Sequence, residues 1–183
     1  MLGLPIRTPR LRLRRFSLDD AAAVRQLNAE PSTRHWLPSH VYEDTAEAKE
    51  ALAFLISSYS EPGHPRLGPY VLAVEHADTR KLLGHVGFSP LDDEVEVSYA
   101  IAEADRGHGY GAEALAHACE RVGQAFGLSS FVAATATENI ASRRLLERAG
   151  FLHLRDETTR FQGVQRAVSR YTWRANSGDS SGA

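Results

Sequence analysis

The residues best suited to chemistry stand at Arg106-Gly107-His108-Gly109-Tyr110-Gly111, between a strand-like run ending near Ile101 and a helical run beginning at Gly111. Glycine lets a backbone take positive φ and approach a ligand closely. Consecutive amides in such a loop point into one concavity, at a helix end that carries about half a positive charge. Arg106 adds a full charge. The combination suits a pyrophosphate, although the same residues could simply turn the chain into a helix. The spacing is not the G-x-G-x-x-G of nicotinamide and flavin sites, and the Lys-Ser/Thr of a Walker loop is absent.

Other reactive groups are scattered. Glu94 and Glu96 share one face of a strand by the period of two, where either could take a proton or attract a cation. The eight histidines show no H-E-x-x-H spacing and there is no cysteine cluster, so no metal site is expected. There is no G-x-S-x-G elbow for a serine hydrolase. Cys119 falls on the apolar stripe of a helix with Leu115, Val122 and Phe126, which predicts core packing for the lone thiol.

The elements that must hold these groups follow from periodicity. Arg10–Phe16 alternates Leu and Arg as a half-buried strand does. Ser17 can cap a helix over 21–28, and Pro31 is read as its end. Asp44 or Thr45 caps a second helix to about Ser58, with Ala48, Leu52, Leu55 and Ile56 on one face. A Pro- and Gly-rich loop spans 61–69. Strands are predicted at 70–76, 81–88 and 95–101, then a helix over 111–126, a strand at 130–136 and a helix over 139–149 with Gly150 at its C′ position. Two last strands, 151–156 and 167–173, flank a turn near Gln162-Gly163. The order β-αα-βββ-α-β-α-ββ describes a mixed sheet with helices on both faces. Regular strand-helix alternation, as in a doubly wound nucleotide-binding domain, is not present.

The whole chain agrees. Its 183 residues suit one domain, and 43% hydrophobic with 24% charged residues is ordinary for a globular core. A net charge of −2 argues against a nucleic-acid partner. One cysteine allows no internal disulfide, the opening Met1–Pro5 lacks the apolar core of a signal peptide, and no run approaches a membrane span. A cytoplasmic protein without membrane or nucleic-acid partners is the expectation. The small polar tail 176–183 is expected to be disordered, which leaves 1–175 as the domain.

Two motifs together carry a family resemblance over roughly residues 6–174. Arg106, Gly109 and Gly111 fill an Arg-x-x-Gly-x-Gly pattern after the fourth predicted strand, and Asn139, Ser142, Gly150 and Phe151 fill a second pattern on the last helix. With Thr8–Arg14 followed by Asp19-Asp20, the chain resembles the GNAT superfamily of N-acetyltransferases, in its RimJ/RimL-type (ribosomal-protein alanine N-acetyltransferase-like) branch. The resemblance implies a single-domain α/β (α+β) fold, with a mixed, mostly antiparallel seven-stranded sheet flanked by helices. Its fourth and fifth strands splay apart to admit the pantetheine arm of acetyl-CoA.

Roles follow from the same resemblance. Tyr99, Ala100, Ile101 and Ala102 would line the arm, and Arg106, Gly107, His108, Gly109, Tyr110 and Gly111 would hold the pyrophosphate. Asn139 would bond the pantetheine or place the acetyl group, besides capping its helix, and Ser142 would lie near the thiol. Glu96, aligned by Glu96-Val97-Ser98-Tyr99, is the candidate base. Many family members carry a Tyr where this chain has Leu146, so Ser142 becomes the candidate acid, with Tyr99 and Tyr110 as alternatives. The implied activity moves an acetyl group from acetyl-CoA to a primary amine, of a protein N-terminus or a small molecule, by direct attack in a ternary complex. The alternative is a non-catalytic acyl-CoA sensor on the same fold. A homodimer is the family expectation. The acceptor groove is expected from 29–42, the 61–69 loop and the 151–167 hairpin, with His35, Trp36 and Tyr42 as lining candidates.

Overall fold

Leu11 and Leu13 alternate with Arg12 and Arg14, and that stretch is a strand whose leucines are wholly buried. In the computed structural model, which describes residues 2–61 and 63–175, it is the second strand of a single sheet. The elements in order are β1 (Ile6–Arg7), β2 (Leu11–Arg14), α1 (Ala21–Asn28), α2 (Pro31–Trp36), α3 (Thr45–Ser58), β3 (Tyr70–His76), β4 (Leu82–Leu91), β5 (Glu94–Ile101), α4 (Tyr110–Phe126), β6 (Ser130–Ala136), α5 (Ile140–Arg148), β7 (Leu152–Phe161) and β8 (Val164–Arg174). The sheet has eight strands in the order β1-β2-β3-β4-β5-β6-β8-β7, and only β5 with β6 is parallel.

Two expectations are corrected. The sheet has eight strands rather than seven, because Ile6-Arg7 pairs with Leu13 and Arg12. A two-residue strand is too short to show a period. Pro31 does not merely end a helix. It opens α2 at the first helical position, where its missing N–H costs nothing. The tail 176–183 lies outside the described residues. Among the described residues no helix is long and apolar enough to cross a membrane.

The two faces of the sheet bury different cores. Tyr70, Leu72 and Val74 of β3 pack with Leu115, Ala118 and Val122 of α4, while Ala73 packs with Val24 of α1 and Leu52 of α3. Cys119 is fully buried in the first of these cores, and burial pushes its thiol well up, so packing is its role. Between the strands, Glu75 is only 4% exposed and receives Arg12 Nη1 at 3.1 Å, Arg14 Nε at 2.6 Å and Arg80 Nη1 at 3.0 Å. Burial pushes its carboxyl up, but those three guanidinium groups outweigh it and hold it below the usual carboxylate range.

β5 and β6 share one register pair, Glu96 with Val132, and then part. On its other side β5 stays paired with β4 along its whole length, from Leu91↔Glu94 to Gly84↔Ile101. Gly84 permits an unusually close approach at the far end: a Cβ there would lie 1.9 Å from the Ala100 carbonyl oxygen. β5 therefore leans toward β4 where it leaves β6. Gly84→Ala is expected to drive β5 back into the gap, cost about 1–3 kcal/mol of stability as overpacking does, and weaken binding of the acetyl-CoA that the resemblance implies. Chemical denaturation and calorimetric titration of the variant check both effects.

Candidate active site

The parting of β5 from β6 opens a cavity of about 490 Å³. Its walls include β5 from Glu96 to Ile101, β6 from Ala134 to Ala136, the loop into α4, and α5 from Asn139 to Arg148. α2 and the β7–β8 hairpin supply Trp36, Leu37, Phe161 and Gln162. One opening thus runs from the glycine loop, through the sheet, to the α2 side.

At the loop end, Gly107 and Gly109 have φ of +80° and +81°, and Gly109 is the N-cap of α4. Among the described residues, the amides of Gly107 through Ala112 have no hydrogen-bond partner, and the first helical bond runs from Glu113 N–H to Gly109 O. Six successive donors at a helix N-terminus make an anion cradle. Gly111 has another reason to be glycine: a Cβ would sit 2.5 Å from Leu145 Cδ1, so α4 and α5 close together there. Arg106 does more than carry charge. Its Nε donates to Ile101 O at 2.8 Å and ties the loop to the end of β5. Neither the His108 ring nor Ala102 lines the cavity. The His108 ring stacks on Tyr110 with centroids 5.6 Å apart, its carbonyl accepts Arg10 Nη1 at 2.9 Å, and Ala102 donates its N–H to Leu83 O.

The α5 end follows from one cap. Asn139 Oδ1 accepts the Ser142 N–H at 3.1 Å, so Asn139 starts the helix, while its side-chain Nδ2 has no hydrogen-bond partner among the described residues. Gly150, at φ +87°, closes the helix, with its own N–H on Glu147 O and the Phe151 N–H on Leu146 O. This turn presents Ser142 to β5, and Ser142 Oγ lies 2.7 Å from the Tyr99 hydroxyl. Burial raises the Tyr99 proton affinity far more than the Ser142 hydrogen bond lowers it, so the phenol stays protonated.

On the opposite face of β5, Glu96 lines the same cavity. Burial raises its pKa above the ordinary glutamate range, and Arg170 on β8 partly opposes that rise. Arg170 is itself held by Glu157 at 2.7 Å. Glu94 is exposed at the start of β5 and does not join the wall. Of the acceptor candidates, Trp36 lines the cavity, His35 packs edge-on against it at 4.2 Å, and Tyr42 packs into the α1–α3 core. Residues 63–69 of the predicted loop are elsewhere, with His64 against Phe126 at the far end of α4. Gly84 and the Tyr99–Ser142 bond were not expected. The first had a visible signal, since a glycine inside a strand marks close backbone approach. The second depends on the distance between two separate elements.

The family model for the acetyltransferase (GNAT) domain matches residues 10–152. The chain belongs to the GNAT acetyltransferase family. It is 28% identical over 149 residues to the uncharacterized N-acetyltransferase YoaA of Bacillus subtilis strain 168, covering 80% of this chain and 81% of that one. In fold it is similar to RimL, a ribosomal L7/L12 α-N-protein acetyltransferase solved with coenzyme A, with 16% identity, a TM-score of 0.79, and coverage of 94% and 98%. It is likewise similar to the ribosomal-protein-S5-alanine acetyltransferase of Vibrio fischeri, with 14% identity, a TM-score of 0.78, and coverage of 96% and 98%. The chain is thus a GNAT N-acetyltransferase, and its acyl donor is acetyl-CoA. The six unpaired amides of the cradle suit the pyrophosphate of that donor.

Gly109→Val should weaken acetyl-CoA binding at least tenfold without unfolding the chain. A β-branched residue resists φ near +81° and blocks backbone approach to the ligand. Calorimetry measures the affinity, and unchanged binding by a folded variant would refute the cradle.

Proposed function

We propose that the protein acetylates the primary amine of a protein N-terminus or small molecule by direct attack in a ternary complex, with Glu96 as base and Ser142 as acid. One observation carries this reading: Glu96 and the Ser142–Tyr99 pair stand on opposite sides of one cavity that also reaches the free amides of the α4 loop. The Gly107–Ala112 amides would hold the pyrophosphate, and the Ala100–Ile101 backbone and Asn139 would line the pantetheine arm.

Acetyl-CoA would supply an acetyl thioester: the amine nitrogen bonds to the carbonyl carbon, and the C–S bond breaks as the carbonyl re-forms. The chain's residues manage the protons. An ammonium has no lone pair, so Glu96 must first take its proton, directly or through water. A raised pKa makes Glu96 a better base when it is ionised. Backbone N–H groups of β5, where β6 no longer pairs with it, stabilise negative charge on the acyl oxygen. Either hydroxyl of the Tyr99–Ser142 pair can donate; when Tyr99 does, the Ser142 proton can pass to the departing sulfur, and the serine recovers the second proton that the attacking nitrogen sheds. Leu146 carries no proton and is wholly buried in the core, so the acid is supplied one turn earlier on α5.

The pH profile tests the base. Because Glu96 must be ionised, its raised pKa sets an acid limb of kcat/KM above the ordinary glutamate range. Arg170→Met removes the opposing charge and should move that limb to higher pH. Glu96→Gln should lower kcat about 100-fold, in the range of a lost general base. An unmoved limb in Arg170→Met, or full turnover by Glu96→Gln, would remove Glu96 from the role.

The donor reading has its own test. Thermal unfolding with acetyl-CoA, NAD or ATP at equal concentration should show a rise with acetyl-CoA alone. At 100 times the dissociation constant the gain is about 2.7 kcal/mol. A thiol-release assay over a panel of amines and N-terminal peptides then identifies acceptors.

A further inference from the structure

The peptide between His108 and Gly109, in the middle of the cradle, is oriented by a residue outside it. In a trans peptide the C=O and N–H point in opposite directions, so whatever fixes the His108 carbonyl also aims the Gly109 N–H. Gly109 cannot fix it alone, because glycine takes φ of either sign at little cost. A flipped peptide would put a carbonyl oxygen where an anion needs a donor. The His108 carbonyl accepts Arg10 Nη1 at 2.9 Å. Gly109 lines the cavity and Arg10 does not, so the carbonyl is turned to a residue outside the site. The Gly109 N–H points away from Arg10 and has no partner among the described residues.

Arg10 is itself held from several sides. It stands in the turn between β1 and β2, and its backbone N–H donates to Glu113 Oε1 at 3.0 Å. Its Nε donates to Glu113 Oε2 at 2.7 Å, and Nη2 lies 2.6 Å from the same oxygen. The Thr8 hydroxyl donates to Glu113 as well. Burial pushes the Glu113 carboxyl up, but Thr8 and Arg10 outweigh it and hold it below the usual carboxylate range. The guanidinium also lies over the Tyr110 ring, 4.8 Å from its centroid. A planar fork can serve a carboxylate and a carbonyl together, which suits arginine and not lysine. Glu113 lies in the first turn of α4, so its charge stands near the anion cradle, and Arg10 answers that charge too.

We propose that Arg10 is a positioning residue for the acyl donor: it holds the His108–Gly109 peptide with its N–H presented to the pyrophosphate. Donor affinity is thereby tied to the β1–β2 turn, far from the cradle in sequence. This rests on the reading of the Gly107–Ala112 amides as the pyrophosphate site.

The test compares coenzyme A with pantetheine, which lacks the pyrophosphate. Calorimetry measures the first, and competition with coenzyme A the second, while thermal melting of each free protein is followed alongside. Arg10→Met keeps an apolar stem over Tyr110 and loses the fork. It should bind coenzyme A roughly tenfold more weakly, the scale of one lost charge-assisted hydrogen bond, with much less change for pantetheine. Unchanged coenzyme A affinity overturns the proposal, and so does an equal loss for both ligands, which a general loosening of the fold would give. Arg10→Met/Glu113→Gln removes the unanswered charge and still leaves the carbonyl untied, so it should bind coenzyme A as weakly as Arg10→Met. Recovery to wild-type affinity in that double variant would reduce the effect to charge and overturn the positioning role. Arg10→Lys keeps the charge without the fork and should also be weakened, which decides the matter if Arg10→Met does not fold. A wild type that binds coenzyme A no better than pantetheine would overturn the cradle reading itself, and the proposal with it.

Discussion

Everything in this protein's site depends on two adjacent parallel strands that do not stay paired. β5 and β6 meet at Glu96 and Val132 and then separate in the middle of the sheet. Unpaired backbone groups in a protein interior are costly, so such a gap persists only where other groups meet them. Arg106 does so for Ile101 O. The remaining backbone of β5 faces a cavity, where a ligand with amide groups of its own can complete the pairing. Gly84 supplies the space into which β5 leans, and the contact of Gly111 with Leu145 draws α4 and α5 together beside the opening.

The gap passes through the sheet, and that divides the work between its faces. Side chains alternate along β5. Val95, Val97 and Ile101 join the core under α4 and α5, and Tyr99 meets Ser142 on that side. Glu96 faces the other way, toward Arg170, α2 and the hairpin. A carboxylate and a pair of hydroxyls thus stand across one opening without competing for the same space. Their protonation is set by the same burial, which pushes both Glu96 and Tyr99 up. For a base, that raises proton affinity; for a hydroxyl donor, it keeps the proton in place.

Legibility in the sequence followed the range of the interactions. The glycine loop, the Asn139 cap and the Gly150 stop are local, and each adopts the conformation its residues favour. The long strands and helices showed their periods. The missed elements were short: Ile6-Arg7 is held by its partner strand, and α2 has six residues. The acceptor side was only partly legible. Trp36 is on the wall, but Tyr42 is in a core and His64 of the predicted loop lies against α4, because loop composition does not state which end of a fold a loop occupies.

By itself the sequence determined the order of the longer elements, the glycine turn into α4, the buried thiol and the family, since each rests on neighbours along the chain or on motifs of fixed spacing. The tertiary structure decided that Arg106 braces β5, that the His108 ring stacks on Tyr110, that Tyr99 bonds Ser142, and that Arg166 lies over Trp36 with Nε and Nη1 lacking hydrogen-bond partners among the described residues. Each of those contacts joins side chains whose separation is set by packing between elements, and hydrogen bonds and charge effects change steeply over an ångström or two.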